Sequence, residues 1–241
     1  MTKNQASKHS LLRMEKFTDL NAGQLSVSRI FRLHHIRHLT DSTYIMRFDR
    51  NGMAFDAGQH ITLGVGGDNQ TREYSIYSTT HDQFLEVLVK EVDMGLVSKR
   101  LKKVKPGELL NVDGPFGFFT LDQEKINRQK YLFIGTGTGI APFHSLAGSY
   151  PGLDYKILHG VKYIEEAYES KFYPEGRYML CTSKDERGDF QGRVTDYIKK
   201  NPVGFDTLVY LCGNCDMIYE VYDLLTSRGI PAENIKTEVY F

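Results

Sequence analysis

Between residues 25 and about 122 the chain carries short runs of alternating apolar and polar positions, at 25–31, 43–48, 60–65 and 84–91, separated by glycine-containing turns. Period-two alternation marks half-buried strands, so this half predicts an antiparallel β-barrel or sandwich. Within it lies Thr71-Arg72-Glu73-Tyr74-Ser75-Ile76-Tyr77-Ser78. As a strand, it puts Arg72, Tyr74 and Ile76 on one face and Glu73, Ser75 and Tyr77 on the other. At about Gln129 the pattern changes. Tyr131-Leu132-Phe133-Ile134 is continuously apolar, as in a strand buried on both faces, and runs at once into Gly135-Thr136-Gly137-Thr138-Gly139-Ile140-Ala141-Pro142. Strands at 155–159, 177–182 and 207–212 then alternate with helices at 164–172, 193–199 and 216–227, the last ending at Gly229. That order predicts a parallel sheet with helices on both faces. The expected architecture is two domains, an antiparallel β-barrel over 25–125 and an α/β parallel-sheet domain over 126–241. Residues 1–24 precede them as a polar, basic tail, with Lys3, Lys8, Arg13 and Lys16 around Leu11 and Leu12, read as loose chain or an added helix.

Composition narrows the function classes. With 241 residues, 41% hydrophobic and 25% charged, the chain can bury a core in each half. Its 30 basic and 30 acidic side chains cancel, so overall charge suggests neither nucleic acid nor an anionic membrane. No apolar run approaches the roughly 18 residues of a membrane span, and the N-terminus lacks the apolar core of a secretory signal. A cytoplasmic protein is expected, with a targeting peptide as the alternative for the basic start. The 3 cysteines, Cys181, Cys212 and Cys215, are too few for a disulfide framework or a four-cysteine iron-sulfur site. Any redox cofactor is therefore organic or held by other groups. His34, His35 and His38 lack acidic or cysteine companions at ligand spacing and read as strand-surface residues, so no metal site is expected.

The candidate chemistry starts at Arg72, whose forked guanidinium suits a phosphate. The Tyr74 ring offers a stacking face for a planar heterocycle, and Ser75 a hydrogen bond to its edge. An ordinary edge strand fits the same residues. Gly95 permits close backbone approach, and Ser98 can cap the helix that follows, making an anion site or a plain cap. The basic run Lys99-Arg100-Leu101-Lys102-Lys103, with Lys105, is a solvated helix face or a surface that steers an acidic protein. The loop Gly135 to Gly139 lets backbone amides reach a pyrophosphate, although its spacing departs from G-x-G-x-x-G.

Taken together and in order, these segments resemble the ferredoxin-NADP(+) reductase family of flavoproteins, of the bacterial type. Arg72-Glu73-Tyr74-Ser75 is similar to its R-x-Y-S flavin motif, and Gly95 to Ser98 to its diphosphate-binding G-x-x-S. Gly135 to Pro142 resembles the nicotinamide-nucleotide loop, and Cys212-Gly213-Asn214 the C-G-x element. Phe55-Asp56-Ala57-Gly58-Gln59-His60 and Gly114-Pro115-Phe116-Gly117 agree with it, as does the ending Glu238-Val239-Tyr240-Phe241. The resemblance implies FAD as cofactor. Arg72 would pair with its diphosphate, Tyr74 stack on the isoalloxazine, and Ser75 meet the reactive nitrogen, with Gly95, Val97 and Ser98 holding the diphosphate. Ser75, Cys212 and Glu238 would flank the nicotinamide. Phe241 adds a residue to the family's ending, leaving open whether Tyr240 or Phe241 covers the second flavin face. Cys212-Gly213-Asn214-Cys215 has the alternative reading of a C-x-x-C thiol pair.

For the extra phosphate of NADPH, His159-Gly160-Val161-Lys162, Thr182-Ser183-Lys184-Asp185-Glu186 and Gly192-Arg193-Val194-Thr195 resemble the bacterial reductases' H-G-V-R, S-R-E and G-R-[IV]-T. Lysines at 162 and 184 replace arginines, which keeps charge and loses bidentate geometry. NADPH is the expected donor, with NADH open. The implied activity is hydride transfer between NADPH and FAD, with single electrons passed to or from an acidic protein such as ferredoxin or flavodoxin. The alternatives are the NAD(P)H-dependent reductase component of an oxygenase system and a non-catalytic flavin- or nucleotide-binding module.

Overall fold

The computed structural model describes residues 31–126 and 128–240. The tail predicted over 1–24, the strand positions 25–30 and Phe241 lie outside the described residues. The first half forms β1 (Phe31–His38), β2 (Thr43–Asp49), β3 (His60–Val65), β4 (Arg72–Ser75), β5 (Phe84–Lys90) and β6 (Leu109–Phe116). They make an antiparallel sheet in the order β4-β3-β6-β1-β2-β5. Just past β4, Ile76 bridges Val87 of β5, and the Tyr77 N–H donates to the Glu86 carbonyl at 2.7 Å. The two edges therefore meet and the sheet closes into a barrel, which removes exposed edges.

Alternation in this half sorts residues between two cores rather than between core and water. Tyr44, Met46 and Phe48 point into the barrel, as do Leu85, Val87 and Ile76. Their neighbours Ile45, Leu88 and Tyr77 point into a second core shared with the other half of the molecule. A short helix, α1 (Leu96–Leu101), stops one end of the barrel with Val97 and Leu101.

The second half contributes β7 (Lys130–Thr136), β8 (Asp154–Val161), β9 (Tyr178–Thr182), β10 (Phe190–Gln191), β11 (Thr207–Asn214) and β12 (Ile235–Tyr240), with α2 (Ala141–Ser149), α3 (Val194–Lys200) and α4 (Cys215–Ser227). All its strand pairings are parallel, in the order β10-β9-β8-β7-β11-β12. The continuous apolar run of β7 is used on both faces. Tyr131 and Phe133 pack with α2 and the barrel, whereas Leu132 and Ile134 pack with α3 and α4. Because β7 lies between β8 and β11, the strand order reverses beside it, and the crevice at the carboxyl ends of β7 and β11 is the natural ligand position of such a sheet.

One predicted element differs. Residues 164–172 form two short 3₁₀ turns, Ile164–Glu166 and Ser170–Phe172, rather than a helix. Contacts to the barrel decide this. The Tyr168 hydroxyl lies 3.0 Å from Thr43 Oγ1, and the Glu169 carboxylate accepts from the Tyr77 hydroxyl at 2.8 Å and from Arg37 at 2.7 Å. To reach both, Glu169 adopts a left-handed backbone (φ 48°), which ends any helix there.

Candidate functional site

Between the two halves runs a cleft of about 1170 Å³, larger than the roughly 300–1,000 Å³ of a typical single-ligand pocket. The parallel sheet supplies one wall. There the loop after β7 meets the loop after β11 backbone to backbone. A Cβ on Gly139 would stand 2.4 Å from the Cys212 carbonyl oxygen, and one on Gly213 (φ 126°) 2.5 Å from Thr136 Oγ1. Glycine is needed at both places for this close approach. Thr136 Oγ1 also accepts the Asn214 N–H at 3.1 Å, and the Asn214 side chain caps α4 by accepting from the Asp216 and Met217 amides.

Buried beneath this loop, His159 holds it from β8. Its Nε2 lies 2.8 Å from the Gly137 carbonyl, which can only accept, so Nε2 carries the proton and Nδ1 accepts from the Tyr178 hydroxyl at 2.7 Å. Complete burial pushes its pKa down to about 4 and keeps the ring neutral.

The barrel supplies the opposite wall. Arg72 is exposed, with Nη1 donating to the Thr71 carbonyl at 2.9 Å. Tyr74 is half-buried, and burial pushes its phenol up to about 12. Gly95 precedes α1. Ser98 does not cap that helix. It sits inside α1, buried, with Oγ accepting the Val92 N–H at 3.3 Å and its carbonyl accepting the Tyr44 hydroxyl at 2.5 Å. Pairing with those neighbours, not helix capping, orients it. Val97 lines the cleft while packing in the barrel core.

Where the walls converge, β4 meets the end of β12. The Tyr240 hydroxyl donates to Ser75 Oγ at 2.6 Å, and Ser75 Oγ donates to Glu238 Oε1 at 2.8 Å. Parallel register sets Glu238 beside Cys212 and Tyr240 beside Asn214. Burial pushes the Glu238 carboxyl above the usual carboxylate range, against the lowering effect of the Ser75 hydrogen bond. Cys212 is fully buried behind this group, and burial pushes its thiol up. A thiol-redox pair needs a depressed pKa, so the C-x-x-C reading loses its physical basis, and both cysteines are free.

Of the residues singled out from the sequence, Arg72, Tyr74, Ser75, Gly95, Val97, Ser98, Thr136, Gly137, Thr138, Lys162, Ser183, Arg193, Glu238 and Tyr240 line the one cleft. Gly135, Gly139 and Cys212 lie behind its surface, and Lys184 is not part of its lining. Three lining carboxylates carried no motif signal. Glu166 bridges the halves by pairing with Lys90 at 3.1 Å, and Asp216 and Glu220 project from α4. The basic run at α1 is largely tied up locally. Lys99 donates to the Asp93 carbonyl, Arg100 pairs with Asp68, and Lys102 pairs with Glu91 at 2.9 Å, while Lys103 and Lys105 are exposed.

Comparison with known proteins places this geometry. Residues 31–121 match the model of the oxidoreductase FAD-binding domain. The chain is 30% identical over 226 residues to the toluate 1,2-dioxygenase electron transfer component of Pseudomonas putida, covering 86% of this chain and 66% of that protein. It is 29% identical to the ferredoxin-NADP reductase of Azotobacter vinelandii, covering 86% of this chain and 91% of that one. In fold it is similar to a ferredoxin NADP+ reductase from Neisseria gonorrhoeae with bound FAD and NADP, with TM-score 0.79 at 21% identity over 88% of this chain and 98% of that one.

Proposed function

Since the chain belongs to the ferredoxin-NADP(+) reductase family of FAD-binding oxidoreductases, we propose that it transfers hydride between NADPH and FAD and single electrons to or from an acidic protein. The observation that carries this reading is the hydrogen-bonded group Tyr240–Ser75–Glu238. It joins two halves of the chain, 165 residues apart at Tyr240 and Ser75, at the floor of the cleft. In this reading residues up to about 125 hold FAD and residues 126–240 hold the dinucleotide.

The residues present fit FAD. Arg72 leaves its guanidinium exposed for a diphosphate, Gly95 lines the same cleft, and the half-buried Tyr74 ring is suited to a planar heterocycle. When bound, FAD supplies the two-electron acceptance of hydride and the one-electron release that no side chain here offers. The chain supplies position and charge. Ser75 presents a hydroxyl whose direction is set on one side by Tyr240 and on the other by Glu238. The Glu238 carboxyl, pushed up by burial, keeps its proton to higher pH than a surface glutamate and holds it within reach of Ser75. The half-buried Tyr240 and the buried Cys212 pack against the same corner. On the other wall the glycine loop Gly135 to Gly139 receives the dinucleotide, with Lys162, Ser183 and Arg193 along the adenosine end. NADPH is the favoured donor and NADH is allowed.

The likeness to the toluate component supports a second reading, the NAD(P)H-dependent reductase of an oxygenase system, which differs only in the acceptor. For either acceptor, Lys103 and Lys105 are the members of the α1 basic run left to steer an acidic partner. No helix among the described residues is long and apolar enough to cross a membrane, and a cytoplasmic place is part of the proposal.

The test is the absorbance spectrum of the purified protein followed by anaerobic titration with NADPH. A flavin band that bleaches on titration is expected, and in the same assay turnover with flavodoxin should slow as ionic strength rises. Protein that is colourless, and stays so after FAD is added, would instead be a non-catalytic module.

A further inference from the structure

The adenosine end of the cleft carries acids where NADPH needs cations. Lys162, Ser183 and Arg193 line it from the ends of β8 and β9 and the start of α3, and Asp216 and Glu220 line it from α4. Asp216 and Glu220 are four residues apart on one helix, so their side chains share a face. Arg193 Nη1 lies 3.7 Å from Glu220 Oε1, with 70% and 50% of the side chains exposed. Asp196 binds the Arg193 backbone, with Oδ2 accepting its N–H at 3.1 Å. Glu166 binds the Lys162 backbone N–H at 3.0 Å while its charge is directed to Lys90.

The Lys162 ammonium has no ion pair among the described residues, whereas Arg193 is already matched by a carboxylate. A phosphate monoester brings a charge of about −1.5 to −2, and three acceptor oxygens that suit a guanidinium. To use Arg193 it must displace Glu220 or bind beside a fixed negative charge. An unphosphorylated ribose meets neither cost.

We propose that Glu220 is a specificity-determining residue: by pairing with Arg193 at the rim of the cleft it holds down the advantage of a 2′-phosphorylated dinucleotide over its unphosphorylated counterpart. The inference rests on the reading of this end of the cleft as the adenosine subsite. Because the pair is exposed, it is weak in itself, and its influence comes from the position of the charge. Replacing Glu220 therefore changes the ligand's surroundings without removing a support of the fold.

Calorimetric titration of the FAD-loaded protein with 2′-phospho-AMP and with 5′-AMP separates the contributions, since the two probes differ only by the 2′-phosphate and neither reports turnover. Glu220→Gln is expected to tighten 2′-phospho-AMP about tenfold at low salt and Glu220→Lys to tighten it further, with 5′-AMP changed less than about twofold. The gain should shrink as salt is raised. Lys162→Ala is the control for the subsite and should weaken 2′-phospho-AMP. If Lys162→Ala weakens that probe but neither Glu220 variant tightens it, the subsite stands and the role of Glu220 is overturned. If none of the three variants alters 2′-phospho-AMP binding, both the subsite and the inference fail. Equal tightening of both probes would show a general charge effect and would also overturn it.

Discussion

Ser75→Ala is expected to slow reduction of the bound flavin by NADPH about 100-fold while FAD remains bound, in line with the loss of one positioned proton-handling or charge-stabilising group. The hydroxyl has two partners on β12 and is the link between them. Removing it takes from Glu238 Oε1 this donor and from the Tyr240 hydroxyl this acceptor, in a partly buried corner. The Ser75 hydrogen bond lowers the Glu238 pKa against the raising effect of burial, so its loss pushes that carboxyl higher still. Two measurements check this together. Stopped-flow reduction gives the rate, and its pH profile should move upward in the variant. An unchanged rate, or a slower rate with an unmoved profile, would separate Ser75 from the chemistry, and the flavin content of the purified variant guards against mere loss of cofactor.

Acid should destabilise the protein through His159. Its folded-state pKa, about 4, lies below the ordinary 6.5, so the unfolded chain takes up a proton that the folded chain refuses. The favourable contribution is complete above about pH 6.5 and is lost as pH falls from there toward 4. At about 1.4 kcal/mol per pH unit, the loss over that window is roughly 3 kcal/mol. His144, also buried and also held below its ordinary value, acts in the same direction, so the wild-type slope contains more than one group. Comparison with His159→Gln isolates the term. Glutamine can donate to the Gly137 carbonyl and accept from Tyr178 but does not titrate. Urea unfolding measured across this window should show the wild type losing about 3 kcal/mol more than the variant. Parallel profiles would mean that His159 is already accessible to protons. The same residue anchors the glycine loop at Gly137, so, if that loop binds the dinucleotide as proposed, weaker NADPH binding is expected to accompany the acid loss.

How much of this was legible beforehand differs by kind of interaction. Period-two runs in the first half and continuous apolar runs in the second reported barrel and parallel sheet correctly, because burial of a strand's faces is written in its own neighbours. Even so, the barrel's alternation hid a division between two cores. Ile45 and Tyr77 alternate like surface positions and are buried against the second half. The apolar and acidic stretch at 164–172 looked helical, but Tyr168 and Glu169 are claimed by Thr43, Tyr77 and Arg37, more than ninety residues away for the two tyrosine contacts. Ser98 looked like a cap because its position before a basic helix allows one. Val92 and Tyr44 took its oxygens instead.

At the site, the residues with backbone constraints were the easiest to read. Gly139 and Gly213 are glycines because another strand's backbone passes within van der Waals range, and a glycine loop after a buried strand announces that in sequence. Arg72, Tyr74 and Ser75 stood out as a compact chemical group. Glu220 and Glu166 did not, since a carboxylate on a helix or turn has no local mark distinguishing a solvated position from one that faces a ligand.

The sequence by itself determined the two architectures, the glycine-lined loop and the residue types available for a flavin and a dinucleotide, because hydrophobic period, backbone freedom and side-chain chemistry are local properties. Only the tertiary structure decided that Tyr240 reaches Ser75, that Cys212 is buried behind Glu238, and that Arg193 meets Glu220. Those pairings depend on barrel closure and strand register across the chain, where polar groups distant in sequence are held within hydrogen-bonding or ion-pairing distance by cores that the groups themselves do not build.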